Sequence, residues 1–121
     1  MTLKDYFETT KGLGVLGTAD VQGNVDLAVY SRPHVMDDGT LAFIMADRLT
    51  HKNIQSNPKA AFLFVEEGGG YKGKRLFLTM VREDDNRELI DTLSRKKYDD
   101  PDKKKYLVYF TLEKELPLIG D

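Results

Sequence analysis

The feature that most constrains this chain is a series of short apolar segments separated by turn residues, with few segments that favour helix. Turn signals such as Asp37-Asp38-Gly39 and Gly68-Gly69-Gly70 separate several of them, as is typical of strands joined in antiparallel order. We therefore predict a mainly β (α+β) chain with an antiparallel sheet that removes exposed edges by curling into a barrel. The six predicted strands are residues 15–19, 25–32, 40–46, 60–65, 71–82 and 106–112.

Three short segments have the pattern of amphipathic helices. Thr2 to Lys11 carries apolar residues at helical spacing, and Thr2 with Asp5 resembles a capping box. Thr50 to Ser56 predicts a second helix that stops at Asn57-Pro58, because the residue before proline disfavours helical geometry. A third helix is predicted to open at Asp84-Asp85 and to end near Arg95-Lys96-Lys97, with charges that match the helix dipole.

Composition narrows the class of protein. A chain of 121 residues with 40% hydrophobic and 31% charged residues predicts one globular domain spanning 1–121. A net charge of −2 argues against duplex nucleic acid as a partner. The sequence has neither cysteine nor an apolar run long enough for a membrane span, so we expect a cytoplasmic protein without membrane association. Two histidines without a paired carboxylate motif predict no metal site.

The segment from Ala46 to Asn53 is the one most suggestive of chemistry. It joins a predicted buried strand to a predicted helix, so backbone N–H groups and basic side chains could converge on one anion. Thr50 as the N-cap would offer a hydroxyl, Lys52 a point charge and Arg48 a bidentate donor, a combination that suits a phosphate. Composition alone leaves open that Thr50 only caps the helix while Arg48 and Lys52 are solvated.

The order of short motifs along the chain resembles the pyridoxamine 5′-phosphate oxidase-like family of flavin-binding split barrels. The most specific part is the lysine and asparagine at the start of the second helix, followed by Asn-Pro. The matching motifs are Gly17-Thr18-Ala19, Gly23-Asn24-Val25, Ser31-Arg32, Asp38-Gly39-Thr40-Leu41, Thr50-His51-Lys52-Asn53-Ile54 and Asn57-Pro58-Lys59-Ala60-Ala61. The resemblance implies a six-stranded antiparallel split β-barrel with short flanking helices.

The resemblance also implies a homodimer with flavin mononucleotide (FMN) in a cleft at the subunit interface. Ten residues of this chain correspond to the cofactor site. Arg48, Thr50, Lys52 and Asn53 would lie at the phosphate, Tyr30, Ser31 and Arg32 near the ring or ribityl chain, and Met45, Ala46 and Asp47 along the isoalloxazine edge. The implied function is an oxidoreductase acting on an unidentified small substrate.

Other functions stay open at the level of sequence. The chain stops at Asp121 without the C-terminal extension that helps the true oxidases hold their substrate, so vitamin B6 oxidation is not expected. The same pattern of motifs also fits a non-catalytic flavin-binding or electron-transfer module, and it fits a deazaflavin protein. A haem-binding split barrel would use His34 or His51 as its axial ligand.

Overall fold

The computed structural model describes residues 1–94 and 104–121, which form three short helices and seven strands. The helices are α1 (Leu3–Thr9), α2 (Leu49–Ser56) and α3 (Arg87–Leu93). The strands are β1 (Gly12–Ala19), β2 (Val25–Tyr30), β3 (His34–Val35), β4 (Leu41–Ala46), β5 (Lys59–Glu66), β6 (Gly73–Asp84) and β7 (Lys105–Pro117). These helices are too short and polar to cross a lipid bilayer.

All seven strands belong to one antiparallel sheet in the order β2-β1-β5-β6-β7-β4-β3. The sheet curls into a split β-barrel, as the sequence predicts. Near the two ends of the sheet, β2 approaches β4, the strand next to the two-residue edge strand β3, and the rings of Tyr30 and Phe43 lie 6.1 Å apart in an edge-to-face contact. A gap between β2 and β4 therefore separates the two ends of the sheet.

An apolar core fills the inside of the curled sheet. Phe43, Phe62, Phe64 and Phe110 are all essentially inaccessible to solvent, and Phe7 of α1 covers one end of this cluster. A smaller cluster lies outside the sheet, where Ile90 of α3 packs on β4 and β7. The side chains of β4 thus face apolar surroundings on both sides, which explains why its sequence is a nearly continuous apolar run.

The structure corrects the sequence-based boundaries at several places. A seventh strand, β3, pairs only through His34 and Val35, and two residues beside Pro33 are too few to give a strand pattern. The third helix does not open at Asp84, because β6 continues to that residue in pairing with β7, and α3 begins after its cap Asn86. The predicted end of this helix at Arg95–Lys97 lies outside the described residues.

Candidate functional site

The main concavity is a cleft of about 500 Å³ at the gap between β2 and β4. Both strands end at this place, and α2 begins beside it, so three elements contribute its walls. Its volume lies in the usual range of small-molecule sites. The residues that line it are Asp26, Ala28, Val29, Tyr30, Ser31, Arg32, His34, Phe43, Ile44, Ala46, Arg48, Leu49, Thr50, Ser94 and Lys105.

Arg48 and Thr50 place polar groups at the start of α2. The backbone N–H of Arg48 donates to Ala46 at 2.8 Å, which turns the chain immediately after β4. The helix consequently begins at Leu49, and the prediction that Thr50 is the N-cap is wrong: Arg48 holds that position without a side-chain capping bond. The buried Thr50 hydroxyl instead lies 3.4 Å from the Asp26 carboxylate across the cleft. Arg48, Leu49 and Thr50 therefore bring a guanidinium, first-turn backbone N–H groups and a hydroxyl to the lining of the cleft.

Six of the ten residues predicted for the cofactor site line this cleft. They come from the end of β2 and from the connection between β4 and α2, as the predicted site requires. They are Tyr30, Ser31, Arg32, Ala46, Arg48 and Thr50.

The other four predicted residues do not line the cleft. Met45 points into the core, and the exposed Asp47 has its carboxylate 3.8 Å from Nδ1 of His51. Lys52 is exposed on α2 and is not part of the cleft lining. Asn53 is buried and donates through Nδ2 to the Thr18 hydroxyl at 3.1 Å. Asn53 therefore ties α2 to β1.

Tyr30 and Arg32 are held in place by their surroundings. Burial raises the pKa of the Tyr30 phenol, with a smaller opposing effect from Thr50, so the hydroxyl stays protonated at neutral pH. Arg32 donates through Nη1 to the carbonyl oxygens of Phe7 and Thr10 at 2.9 and 3.0 Å. This guanidinium fixes the end of α1 against the chain that follows β2.

Sequence reasoning missed several lining residues, of which Lys105 is the most informative. Lys105 is only 8% exposed and pairs with Ala46 at the start of β7. Its local sequence is a run of lysines typical of a solvated surface, so only the pairing of β7 with β4 brings it to the cleft. Ser94, His34 and Asp26 also line the cleft and were not predicted.

Charge is unevenly distributed around the cleft. Of the described residues that line the cleft, three are cationic, namely Arg32, Arg48 and Lys105, and one, Asp26, is acidic. The whole chain has a net charge of −2, so the cleft is a local positive region on an acidic protein. Such a region favours an anionic ligand.

His51 lies next to the cleft, and contacts within the protein hold its side chain. Its ring stacks on Tyr106 with a centroid distance of 4.0 Å, and Nε2 lies 2.9 Å from Oε1 of Glu83. Gln55 also donates to Glu83 at 2.9 Å. Among residues 1–94 and 104–121, no group of three or more metal-ligating side chains comes together.

Comparison with solved structures identifies the fold. No protein-family model matches the sequence, and no curated protein is significantly similar to it. An F420 reductase superposes with a TM-score of 0.74 at 14% identity, covering 96% of this chain and 98% of that one. An FMN-binding protein from Syntrophomonas wolfei subsp. wolfei gives 0.73 at 20% identity, covering 98% and 84%. A Lactobacillus delbrueckii protein described as a candidate pyridoxamine 5′-phosphate oxidase gives 0.69 at 18% identity, covering 96% and 93%.

These similarities extend over nearly the whole chain. The chain therefore has the split-barrel fold of the pyridoxamine 5′-phosphate oxidase-like proteins.

Proposed function

We propose that this protein is a flavoprotein that binds FMN in the cleft between β2 and β4 and acts as an oxidoreductase on a small substrate. The observation that carries the proposal is the convergence of Arg48 and Thr50 at the start of α2, at one end of a positively charged cleft. The shared fold with an FMN-binding protein and an F420 reductase supports the same class of ligand.

The residues present fit such a cofactor. Arg48 offers a planar fork for two phosphate oxygens, and the first-turn N–H groups of α2 add donors. The Asp26 carboxylate, beside Thr50, suits hydroxyl groups of a sugar-alcohol chain. Beyond Ala42, β4 has no strand partner on the cleft side within residues 1–94 and 104–121, so its backbone edge can meet the polar edge of a planar ring.

The protein's own groups would position and tune the cofactor. Arg48 would hold the phosphate, and the protonated Tyr30 hydroxyl would offer a neutral hydrogen bond near the ligand. FMN supplies redox chemistry when bound, so the chain itself needs no strong acid or base. A non-catalytic carrier would use the same site, and turnover of a substrate by flavin-loaded protein distinguishes the enzyme from the carrier.

The decisive experiment compares FMN and riboflavin binding in wild type and R48A. Loss of a charged hydrogen bond costs about 1.5–3 kcal/mol, which corresponds to roughly 10- to 150-fold weaker FMN binding. Riboflavin has no phosphate, so its affinity should change by less than about 2-fold. Binding is followed by flavin fluorescence and by absorbance retained after gel filtration.

Two lysine variants serve as controls for this measurement. K11A removes an exposed cation that does not line the cleft and should leave FMN affinity unchanged. K52A tests the sequence-based assignment, and we expect it to weaken FMN binding far less than R48A, because Lys52 is exposed and does not line the cleft. Equal losses for FMN and riboflavin in R48A would contradict a phosphate contact.

The same spectra test haem as the alternative ligand. His34 lines the cleft and His51 does not, so His34 is the histidine placed to meet a haem bound there. A Soret band in the spectrum of the purified protein that is lost in H34A would identify haem, and not FMN, as the ligand. Retained flavin absorbance at one per chain would support the proposal.

A further inference from the structure

The wall of the cleft that β2 contributes carries a carboxylate close to a hydroxyl of α2. Asp26 of β2 is half-buried and lines the cleft, and Thr50 in the first turn of α2 is only 5% exposed. Oγ1 of Thr50 donates to Oδ2 of Asp26 at 3.4 Å. Typical O–H···O bonds are about 2.7–2.8 Å long, so this contact is weak and a ligand can replace it. The two oxygens are therefore a closely spaced donor and acceptor in the lining of the cleft.

Thr50 has a single proton to donate. Asp26 takes this proton in the structure, and the Tyr30 phenol hydrogen-bonds to the same hydroxyl. A phosphate bound by Thr50, as the proposed function requires, would take the proton away from Asp26. The Asp26 carboxylate would then lie beside a second anion without its donor, and like charges at short range oppose binding. A phosphate alone is therefore a poor match for this part of the cleft.

A ligand removes this cost when it brings its own donor for Asp26. A carboxylate has about four acceptor positions, so Asp26 can accept a hydrogen bond from a ligand hydroxyl. Because the oxygens of Thr50 and Asp26 lie 3.4 Å apart, the phosphate and the hydroxyl must also be close together in the ligand. Groups on adjacent carbon atoms of a short chain meet this requirement. Such a ligand exchanges the internal hydrogen bond for two bonds to itself.

We propose that Asp26 and Thr50 form a specificity site for a phosphate monoester that carries a hydroxyl on the adjacent carbon. Thr50 donates to the phosphate, and Asp26 accepts from the hydroxyl. FMN belongs to this class of ligand, because its phosphate ends a ribityl chain, and sugar and polyol phosphates belong to it as well. The position of the phosphate rests on the proposed function, whereas the preference for the hydroxyl needs no flavin ring.

The test uses three small phosphate esters that differ only in their hydroxyl group. They are 2-hydroxypropyl phosphate, 3-hydroxypropyl phosphate and propyl phosphate, titrated into the full chain without flavin and followed by NMR chemical shifts. We expect wild type to bind the 2-hydroxy ester at least about 10-fold more tightly than the other two, the lower limit for a hydrogen bond to a charged group. D26A should reduce this preference to less than about 2-fold. R48A should weaken all three esters by a similar factor, because Arg48 would meet the phosphate that they share.

D26N and D5N are the companion variants. D26N keeps an oxygen for Thr50 and removes the negative charge, so propyl phosphate should bind more tightly to D26N than to wild type. If thermal unfolding shows that D26A does not fold, D26N takes its place, with a smaller preference for the 2-hydroxy ester than wild type. D5N removes the carboxylate of an exposed residue that does not line the cleft, and it should behave like wild type.

An FMN titration of wild type separates this proposal from the proposed function. If wild type binds no FMN but shows a preference for the 2-hydroxy ester that depends on Asp26, FMN is rejected and the specificity site stands. If wild type binds FMN but binds the three esters equally, or if D26A keeps the full preference, the specificity site is overturned and the FMN proposal is unaffected. Binding of none of the esters by wild type, or a preference for the 3-hydroxy ester, would also overturn the specificity site.

Discussion

At the scale of single residues, polar side chains near the start of α2 have two different roles. Arg48 and Thr50 line the cleft, whereas His51 and Asn53 turn into the protein and fix the helix to β6 and β1. Four polar residues within one short stretch therefore divide between lining the cleft and holding the helix in place. Helical spacing explains the division, because neighbouring residues on a helix point in different directions.

The buried Asn53 gives a prediction at this scale. N53A should lower the free energy of unfolding by about 1–3 kcal/mol, because the buried Thr18 hydroxyl would lose its donor. FMN affinity should fall much less than in R48A, since Asn53 does not line the cleft. Urea unfolding and FMN titration measure the two effects, and T18A with the N53A/T18A double variant isolates the pair. A loss of FMN affinity as large as that of R48A, with stability unchanged, would place Asn53 at the ligand instead.

Residues of the cleft lining could be predicted from the sequence only where the chain is locally continuous. Tyr30 to Arg32 and Ala46 to Thr50 follow strand ends, so a linear motif indicates both segments. Lys105 reaches the cleft through its pairing with Ala46, and no local pattern encodes that pairing. Thr50 was assigned to the N-cap, two positions before its place in the helix, because the tight turn between Ala46 and Arg48 leaves no mark in the sequence.

At the scale of elements, β1 controls the wall of the cleft because it carries β2. Gly14 pairs with Tyr30 on β2 and with Phe64 on β5, and a Cβ there would lie 2.5 Å from both the Tyr30 carbonyl oxygen and the Phe62 ring. Gly17 on the same strand has more space, because its nearest neighbour is the mobile end of the Leu27 side chain at 3.2 Å. The two glycines therefore have different roles in one strand.

The two glycines form a matched pair of substitutions. G14A should cost about 1–3 kcal/mol of stability through overpacking, and it should weaken FMN binding by displacing Tyr30. G17A should change both quantities much less, since the exposed Leu27 side chain can move aside. Denaturant unfolding and FMN titration of both variants provide the measurement. Equal losses of stability and FMN affinity in G14A and G17A would show that strand propensity, and not the close approach of β2 to Gly14, determines the result of the substitution.

Elements with strong local patterns were predicted well, and those that depend on pairing were not. The alternation in β6 and the apolar run of β4 are intrinsic to their sequences, and both strands form. By contrast, β3 exists only because His34 and Val35 meet Ala42 and Leu41. Asp84 and neighbouring acids favour a helix start, but pairing of β6 with β7 extends the strand through that residue.

At the scale of the whole molecule, an apolar strip lies on the outer side of β2. Val25, Leu27 and Val29 are 81%, 74% and 71% exposed, and Leu13 of β1 extends the strip at 54%. Contiguous exposed apolar surface marks an interaction site in soluble proteins. Val29 also lines the cleft, so a molecule covering the strip would meet the rim of the cleft. We therefore expect a homodimer in which the strip lies at the interface and the partner completes the cleft.

The last prediction tests this expectation with one charge. L27E places a carboxylate in the middle of the strip. Both chains of a symmetric dimer would carry this substitution, so the interface would bury two negative charges, each against the apolar strip of the partner chain. We expect wild type to sediment as a dimer and L27E as a monomer, with thermal stability of the monomer fold retained because Leu27 is exposed. FMN retention should fall together with dimerisation if the partner contributes to the cleft. V21E is the matched control, because Val21 is 75% exposed but lies in the turn after β1. Identical sedimentation of L27E and wild type would exclude the strip as the interface, and unchanged FMN retention in a monomeric L27E would show that one chain builds the whole site.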